Sequence, residues 1–247
     1  MSALAGIIPR QLVIANNEYL TLLVLVIGLA LVVLALNVAV VSKKSSKKKN
    51  TVLITGLQFA GKTAIYYKIR NNKAVETVTS IKENEADVSI EEGKIIHLVD
   101  IPGHERLRFK FSEFMPIAGS VVFVIDSATI GRHTRQAAEY LYDILAHKIS
   151  QKEKTPVLIA CNKSDLLTAF KKDRIQTLLE GEMNKLRQTR TAALDTQDAE
   201  ENETVFLGFE GQDFSFLDLE NEVEFIECSV ERDDIDAVRE WVLAKTS

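Results

Sequence analysis

The residues with the clearest chemical potential are eight in a row, GLQFAGKT at 56 to 63, directly after the β-branched apolar run TVLIT at 51 to 55. They fit the spacing G-x-x-x-x-G-K-[ST], which binds phosphate when a strand precedes it and a helix follows. Gly56 and Gly61 permit a loop in which the backbone N–H groups of Leu57, Gln58, Phe59 and Ala60 wrap an anion, and the next helix N-terminus adds favourable dipole density. Lys62 supplies a cation for β- and γ-phosphate oxygens, and Thr63 a hydroxyl for Mg²⁺, which takes oxygen ligands in an octahedral shell. A second group, DIPGHE at 100 to 105, follows another apolar run, so that Asp100 is a carboxylate for the same cation and the Gly103 N–H is placed for the γ-phosphate. A third, NKSD at 162 to 165, follows PVLIAC. Asp165 can accept from two adjacent donors, which matches the N1–H and exocyclic amine of guanine but not adenine, whose N1 is unprotonated. Asn162 can bond the base and tie it to the phosphate loop, while the Lys163 stem lies along the base plane. A fourth, weaker group is Cys228, Ser229 and Val230, whose backbone N–H groups are candidates for guanine O6.

These groups need a scaffold that brings distant segments to one edge. Short apolar runs recur at 51 to 55, 86 to 90, 94 to 100, 120 to 126, 156 to 162 and 223 to 229, separated by helix-length segments. That alternation predicts an α/β fold with a mostly parallel, six-stranded sheet, and the phosphate-loop motif at 56 to 63 makes the P-loop NTPase type the expectation. The polar EEG between the second and third runs predicts an antiparallel hairpin. Helices are expected at 61 to 71, within 105 to 117, and at 133 to 149, 168 to 190 and 232 to 244. An acidic insertion is expected at about 192 to 212, because no basic residue occurs from Thr191 to Val230. Its apolar VFLGF is read as an extra edge strand, a partner contact or simple local packing.

From Tyr19 to Ser42 the chain carries 24 residues without a formal charge, and five lysines follow within 43 to 49. As a helix that run reaches about 36 Å, enough to cross a bilayer core of about 30 Å. The expected organisation is a short lumenal N-terminus at 1–18, one transmembrane helix at 19–42, a basic cytosolic linker at 43–50 and a nucleotide-binding domain at 51–247. Only Arg10 is basic before the span, so the positive flank places the large domain in the cytosol. Residues 51–247 hold 24 basic and 34 acidic residues, net −10, which excludes direct nucleic-acid binding by charge. Cys161 and Cys228 lack metal or disulfide spacing and read as buried small hydrophobes of a reducing compartment. His97, His133 and His147 show no ligand spacing, and Arg106 and Arg108 read as solvent-facing.

The four groups in this order resemble the Arf/Sar branch of the small Ras-like GTPases. With the N-terminal anchor, the G-L-x-x-x-G-K-T loop, Thr79-Ser80-Ile81 and D-x-P-G-H at 100 to 104, the chain resembles the β subunits of the signal recognition particle receptor. Met1-Ser2 offers no glycine for myristoylation, unlike an ordinary Arf.

The resemblance implies a Ras-like G domain that binds GTP or GDP with Mg²⁺ and hydrolyses GTP through Lys62 and His104. It implies a single-pass protein of the endoplasmic reticulum membrane. Its partners would be the receptor α subunit in a heterodimer, the lipid bilayer, and the ribosome or translocation channel. The switch I ligand to Mg²⁺ corresponds to Ser80, with Thr79 and Thr77 as competing registers. Switch II spans Gly103 to Met115, where core packing is expected to claim one or two of Phe109, Phe111 and Phe114. His104 stands where most such enzymes carry glutamine, and Gln58 where Ras proteins commonly have glycine, so slow hydrolysis is expected. Two other functions fit the residues: a nucleotide-stabilised scaffold without turnover, and a vesicle-traffic GTPase with an unusual anchor.

Overall fold

The computed structural model describes residues 23, 25–27, 50–71, 82–89, 94–194 and 206–246. The chain divides into two compact units, Met1–Lys47 and Lys48–Ser247. In the first, Leu23 and Leu25 to Ile27 are helical, and the remainder of the expected membrane span lies outside the described residues. Among the described residues no helix is long and apolar enough to cross a membrane.

In the second unit the strands are β1 Thr51–Gly56, β2 Asn84–Ser89, β3 Ile95–Asp100, β4 Ala118–Asp126, β5 Val157–Asn162 and β6 Val223–Glu227. They lie in the order β2-β3-β1-β4-β5-β6, with β2 antiparallel to β3 and every other pair parallel. The helices are α1 Lys62–Asn71, α2 Phe111–Phe114, α3 Ile130–Leu145, α4 Lys148–Glu153, α5 Lys172–Leu194 and α6 Asp236–Lys245. A 3₁₀ helix, Glu105–Lys110, leads into α2.

Strand alternation sorts the core into two layers. Val52 and Ile54 of β1 join Ile65, Tyr66 and Ile69 of α1 and Val238, Trp241 and Val242 of α6. Leu53 between them joins the opposite cluster, with Ala137 and Leu141 of α3 and Ile175, Leu179 and Met183 of α5. The period of two along a strand meets helical stripes at three- and four-residue spacing on both faces, which is why all six residues of β1 are buried. Because each parallel strand returns through a helix, every chemistry-bearing segment follows the carboxyl end of a strand.

Three helices differ from the sequence reading, the one expected at 232 to 244 by starting only at Asp236, after a turn closed by backbone bonds between Ser229 and Asp234. The expected helix at 133 to 149 is split, because His147 adopts extended backbone and its Nδ1 accepts from Ile149 N at 3.3 Å, capping a new helix. α5 runs on to Leu194, into the expected insertion at 192 to 212. Residues 195–205 lie outside the described residues, and the far end of the insertion packs locally without adding a strand, with Leu207 buried to 1% exposure.

The anchor for that packing is Arg187 of α5, itself only 3% exposed. Its guanidinium donates to Leu207 O and Phe209 O at 3.1 Å each, to Gln212 O at 2.5 Å and to Asn184 Oδ1 at 2.6 Å. It lies against the Phe206 and Phe214 rings, 4.9 and 5.5 Å from their centroids. Arg187→Met would strip several buried carbonyls of a charged donor, so a loss of about 3 kcal/mol in unfolding free energy is expected. A fall in the urea midpoint at unchanged slope is the signature to measure.

Candidate functional site

The phosphate loop joins β1 to α1 and is closed by its own lysine. Lys62 is 7% exposed and its Nζ donates to Leu57 O at 2.9 Å. Burial pushes this ammonium down to about 8; Asp100 acts in the opposite direction and Arg108 reinforces the fall. An anion brought beside Lys62 favours its charged form. Phe59 takes φ 63° and Gly61 φ 96°, and a Cβ at Gly61 would collide with the Asn162 amide. Ala60 is buried, Leu57 and Gln58 are half-buried, and the Phe59 ring faces solvent.

Asp100 ends β3 beside this loop, 1% exposed. Its Oδ2 accepts from Thr63 Oγ1 at 2.7 Å and from Asn84 Nδ2 at 2.9 Å. Burial pushes the carboxyl up, while those two bonds and the Lys62 charge hold it down. Its Oδ1 is buried without a hydrogen-bond partner. A buried carboxylate oxygen with no donor, next to a hydroxyl, suits a hard divalent cation. Among the described residues no three His, Cys, Asp or Glu side chains converge on a metal-sized position, so Thr63 and Asp100 suit an ion that takes its remaining ligands from phosphate and water. Ser80, Thr79 and Thr77 lie outside the described residues.

Gly103 brings the DIPGHE segment onto the phosphate loop. A Cβ there would strike Lys62 Nζ, Gln58 N and Leu57 C, so only glycine lets the two backbones approach this closely. His104 follows, exposed, as the N-cap of the 3₁₀ helix, its Nδ1 accepting from Arg106 N at 3.3 Å. With Nδ1 as acceptor, a neutral imidazole carries its proton on Nε2, which then donates to water rather than drawing a proton from it. Arg106 is exposed, whereas Arg108 departs from the solvent-facing expectation. It is half-buried with its guanidinium 5.4 Å from the Tyr140 ring centroid, because α3 offers an aromatic face beneath the 3₁₀ turn. Phe111 is buried, Phe114 packs at the core margin and Phe109 is 60% exposed. Lys110 Nζ meets Glu83 Oε2 at 2.6 Å, tying this segment to the chain entering β2.

The base side is built from the ends of β4, β5 and β6. Asn162, 3% exposed, donates from Nδ2 to Ala60 O at 2.9 Å. Lys163, at φ 61°, donates from Nζ to Phe59 O at 2.9 Å and to Asp126 Oδ2 at 2.7 Å. Asp165 Oδ1 accepts from the Ser229 hydroxyl at 2.6 Å. Two of the three N–H groups offered by Cys228, Ser229 and Val230 are spent, since Cys228 N bonds Cys161 O at 3.0 Å and Ser229 N bonds Asp234 O at 2.9 Å. Val230 N makes the longest of the three contacts, 3.4 Å to Asn162 Oδ1, and the Ser229 hydroxyl is directed at Asp165. Cys161 and Cys228 are free, buried thiols whose ionisation burial opposes, so neither is poised as a nucleophile.

Sequence reasoning missed Asn84 and Asp126. Asn84 stands opposite Asp100 in the β2–β3 register, which fixes its contact with the carboxylate. Asp126 ends β4 as Asp100 ends β3, and besides gripping Lys163 it accepts from Ala128 N at 2.9 Å. An acid closing an apolar strand was the available signal.

The signal recognition particle receptor beta subunit family model matches residues 47–223. Receptor beta subunits of Rattus norvegicus and Homo sapiens are 40% and 38% identical over 191 and 212 residues, covering 76% and 85% of this chain and 70% and 78% of those proteins. The beta subunit of Saccharomyces cerevisiae is 30% identical over 241 residues, covering 92% of this chain and 98% of that protein. The solved structure of the mammalian SRP receptor superposes with a TM-score of 0.70 at 37% identity, covering 80% of this chain and all of that one. An SRb-GDP-Mg structure from Chaetomium thermophilum matches at TM-score 0.61 and 25% identity, covering 79% of this chain and 96% of that one. The loop, the strand-end carboxylates and these matches agree: the chain belongs to the signal recognition particle receptor beta subunit family.

Proposed function

We propose that this chain is a GTP-binding, membrane-anchored receptor subunit that binds GTP or GDP with Mg²⁺ and, in its GTP form, recruits the receptor α subunit to the endoplasmic reticulum. The observation that carries the reading is the pairing of Thr63 with a buried Asp100 whose second oxygen lacks a donor, beside Lys62 and Gly103. The solved relative that holds GDP and Mg supports the same ligand set. Bound Mg²⁺ would supply neutralisation of the negative charge on the phosphates.

The protein's own part follows from the geometry. Backbone N–H groups of the loop and the Lys62 ammonium hold the phosphates, with Thr63 and Asp100 as the cation's protein ligands and Ser80 as the switch I ligand. Asp165 takes the guanine N1–H and amine, Val230 N–H its O6, and Lys163 covers the base. Attack of water on the γ-phosphorus breaks its bond to the β–γ bridging oxygen and gives GDP and phosphate. With Nδ1 engaged at the helix cap, His104 orients that water as a donor and is a poor base, so unaided turnover is slow. The same contact favours a second reading, a scaffold that retains GTP without a turnover cycle. Attachment through residues 19–42, with residues 1–18 lumenal and 43–50 as a basic linker, completes the proposal. Coupling to the ribosome or translocation channel would follow from the α subunit.

Single-turnover hydrolysis by residues 48–247 is expected to run well below about 1 per second; a rate at that level would overturn the slow-enzyme reading. Loading with GTP rather than GDP is expected to raise α-subunit capture from solubilised membranes, whereas equal capture would favour the scaffold. Asp165→Asn is expected to weaken GDP by about a hundredfold while improving xanthosine diphosphate; an unchanged base preference in competition binding would remove Asp165 from the base pocket. Because Lys62 sits near 8 and a phosphate raises it, GDP binding at pH 8 is expected to take up about half a proton, falling to about a tenth at pH 7. Calorimetry in buffers of different ionisation enthalpy reads that uptake directly.

A further inference from the structure

An ion pair buried on one side only joins the helix that follows the phosphate loop to the turn that carries Val230. Lys68, six residues along α1 from Lys62, has only 6% of its side chain exposed, and its Nζ meets Asp233 Oδ1 at 2.5 Å. The Asp233 side chain is 70% exposed and its backbone is left-handed, φ 61°. The amine is therefore fixed by the packing of α1, between Ile65 and Ile69, while the carboxylate belongs to a surface turn with little packing of its own.

That turn is a closed unit. Asp233 N bonds Val230 O at 3.2 Å, and Ser229 and Asp234 exchange two backbone bonds of 2.9 and 2.8 Å. The Ser229 hydroxyl accepts from Arg232 N at 3.2 Å and donates to Asp165 Oδ1 at 2.6 Å. Fixing Asp233 thus fixes both Val230, whose N–H makes only the long 3.4 Å contact to Asn162 Oδ1, and Ser229, whose hydroxyl is directed at Asp165. The exposed Arg232 contact to Asp165 O, at 3.3 Å, ties the turn only to its own neighbour loop.

We propose that Lys68 is a positioning residue for guanine: by holding Asp233 from the rigid helix α1, it fixes the turn that aims the Val230 N–H at the O6 oxygen of the base. This rests on the guanine reading above and assigns the phosphate-side helix a part in base selection. Lys68 touches no part of the nucleotide in this role.

The test uses the full chain with Lys68→Met, which keeps the apolar stem, and Asp233→Asn, which tolerates the left-handed backbone. Affinities are measured for GDP and for 6-thioguanosine diphosphate, which has the same phosphates, N1–H and amine but sulfur in place of O6. Wild type is expected to prefer GDP by about tenfold, and each variant to narrow that ratio to about threefold or less. The double variant should narrow it no further, because both changes break one link. Variants that melt earlier yet keep the wild-type ratio would show the pair to be purely structural and overturn the proposal. A wild type without preference for GDP over the thio analogue would overturn the Val230 contact itself, and the proposal with it, before any variant is measured.

Discussion

The side-chain amide of Asn162 is the contact through which the two halves of the site hold each other. It sits at the carboxyl end of β5, buried, donating to Ala60 O in the phosphate loop, with its Oδ1 a long 3.4 Å from Val230 N on the base side. One planar group thus sets the separation between the place for phosphate and the place for base. The demand it makes is steric as well as polar, since Gly61 must lack a side chain for the amide to reach Ala60. Lys163 repeats the connection one residue later by reaching back to Phe59 O. The strand supplies the rigidity, because Asn162 and Cys161 are held in register with Asp126 and Ile125 of β4.

A second constraint is electrostatic. Lys62 and Asp100 are both withdrawn from water, each shifted by burial toward its neutral form and each partly restored by the other. Neither charge is comfortable alone, and both become more so beside a phosphate and a cation, which is the usual relation between a strained polar site and its ligand. The hydroxyl pair Thr55 and Tyr140, 2.5 Å apart beneath the loop, shows how polar groups are kept satisfied this deep in the sheet.

Much of this was legible in the residues. The β-branched runs gave all six strands and the antiparallel hairpin, since strands buried on both faces leave continuous apolar stretches. GLQFAGKT, DIPGHE and NKSD each carry groups that spacing alone singles out, and the structure brings all three to one edge. What spacing could not supply was register. Asn84 matters because it stands opposite Asp100, Asp126 because Lys163 turns back toward it, and Ser229 because its side chain rather than its amide faces Asp165. His147 broke an otherwise periodic helix by a local side-chain cap that periodicity does not see. Arg187 was hidden for another reason: a lone arginine on an amphipathic helix reads as solvated, and only the returning chain at 206 to 212 buries it.

That returning chain has a consequence for how the protein tolerates change. α5 follows β5 and extends past Arg187 as far as Leu194. Arg187 clasps Leu207, Phe209 and Gln212 and so pins the chain shortly after the intervening stretch. The entropy of closing a chain onto an anchored point grows slowly with length, by about 0.6 kcal/mol for each doubling. The clasp on Arg187 therefore fixes where the chain re-enters the fold, independently of how many residues come before it.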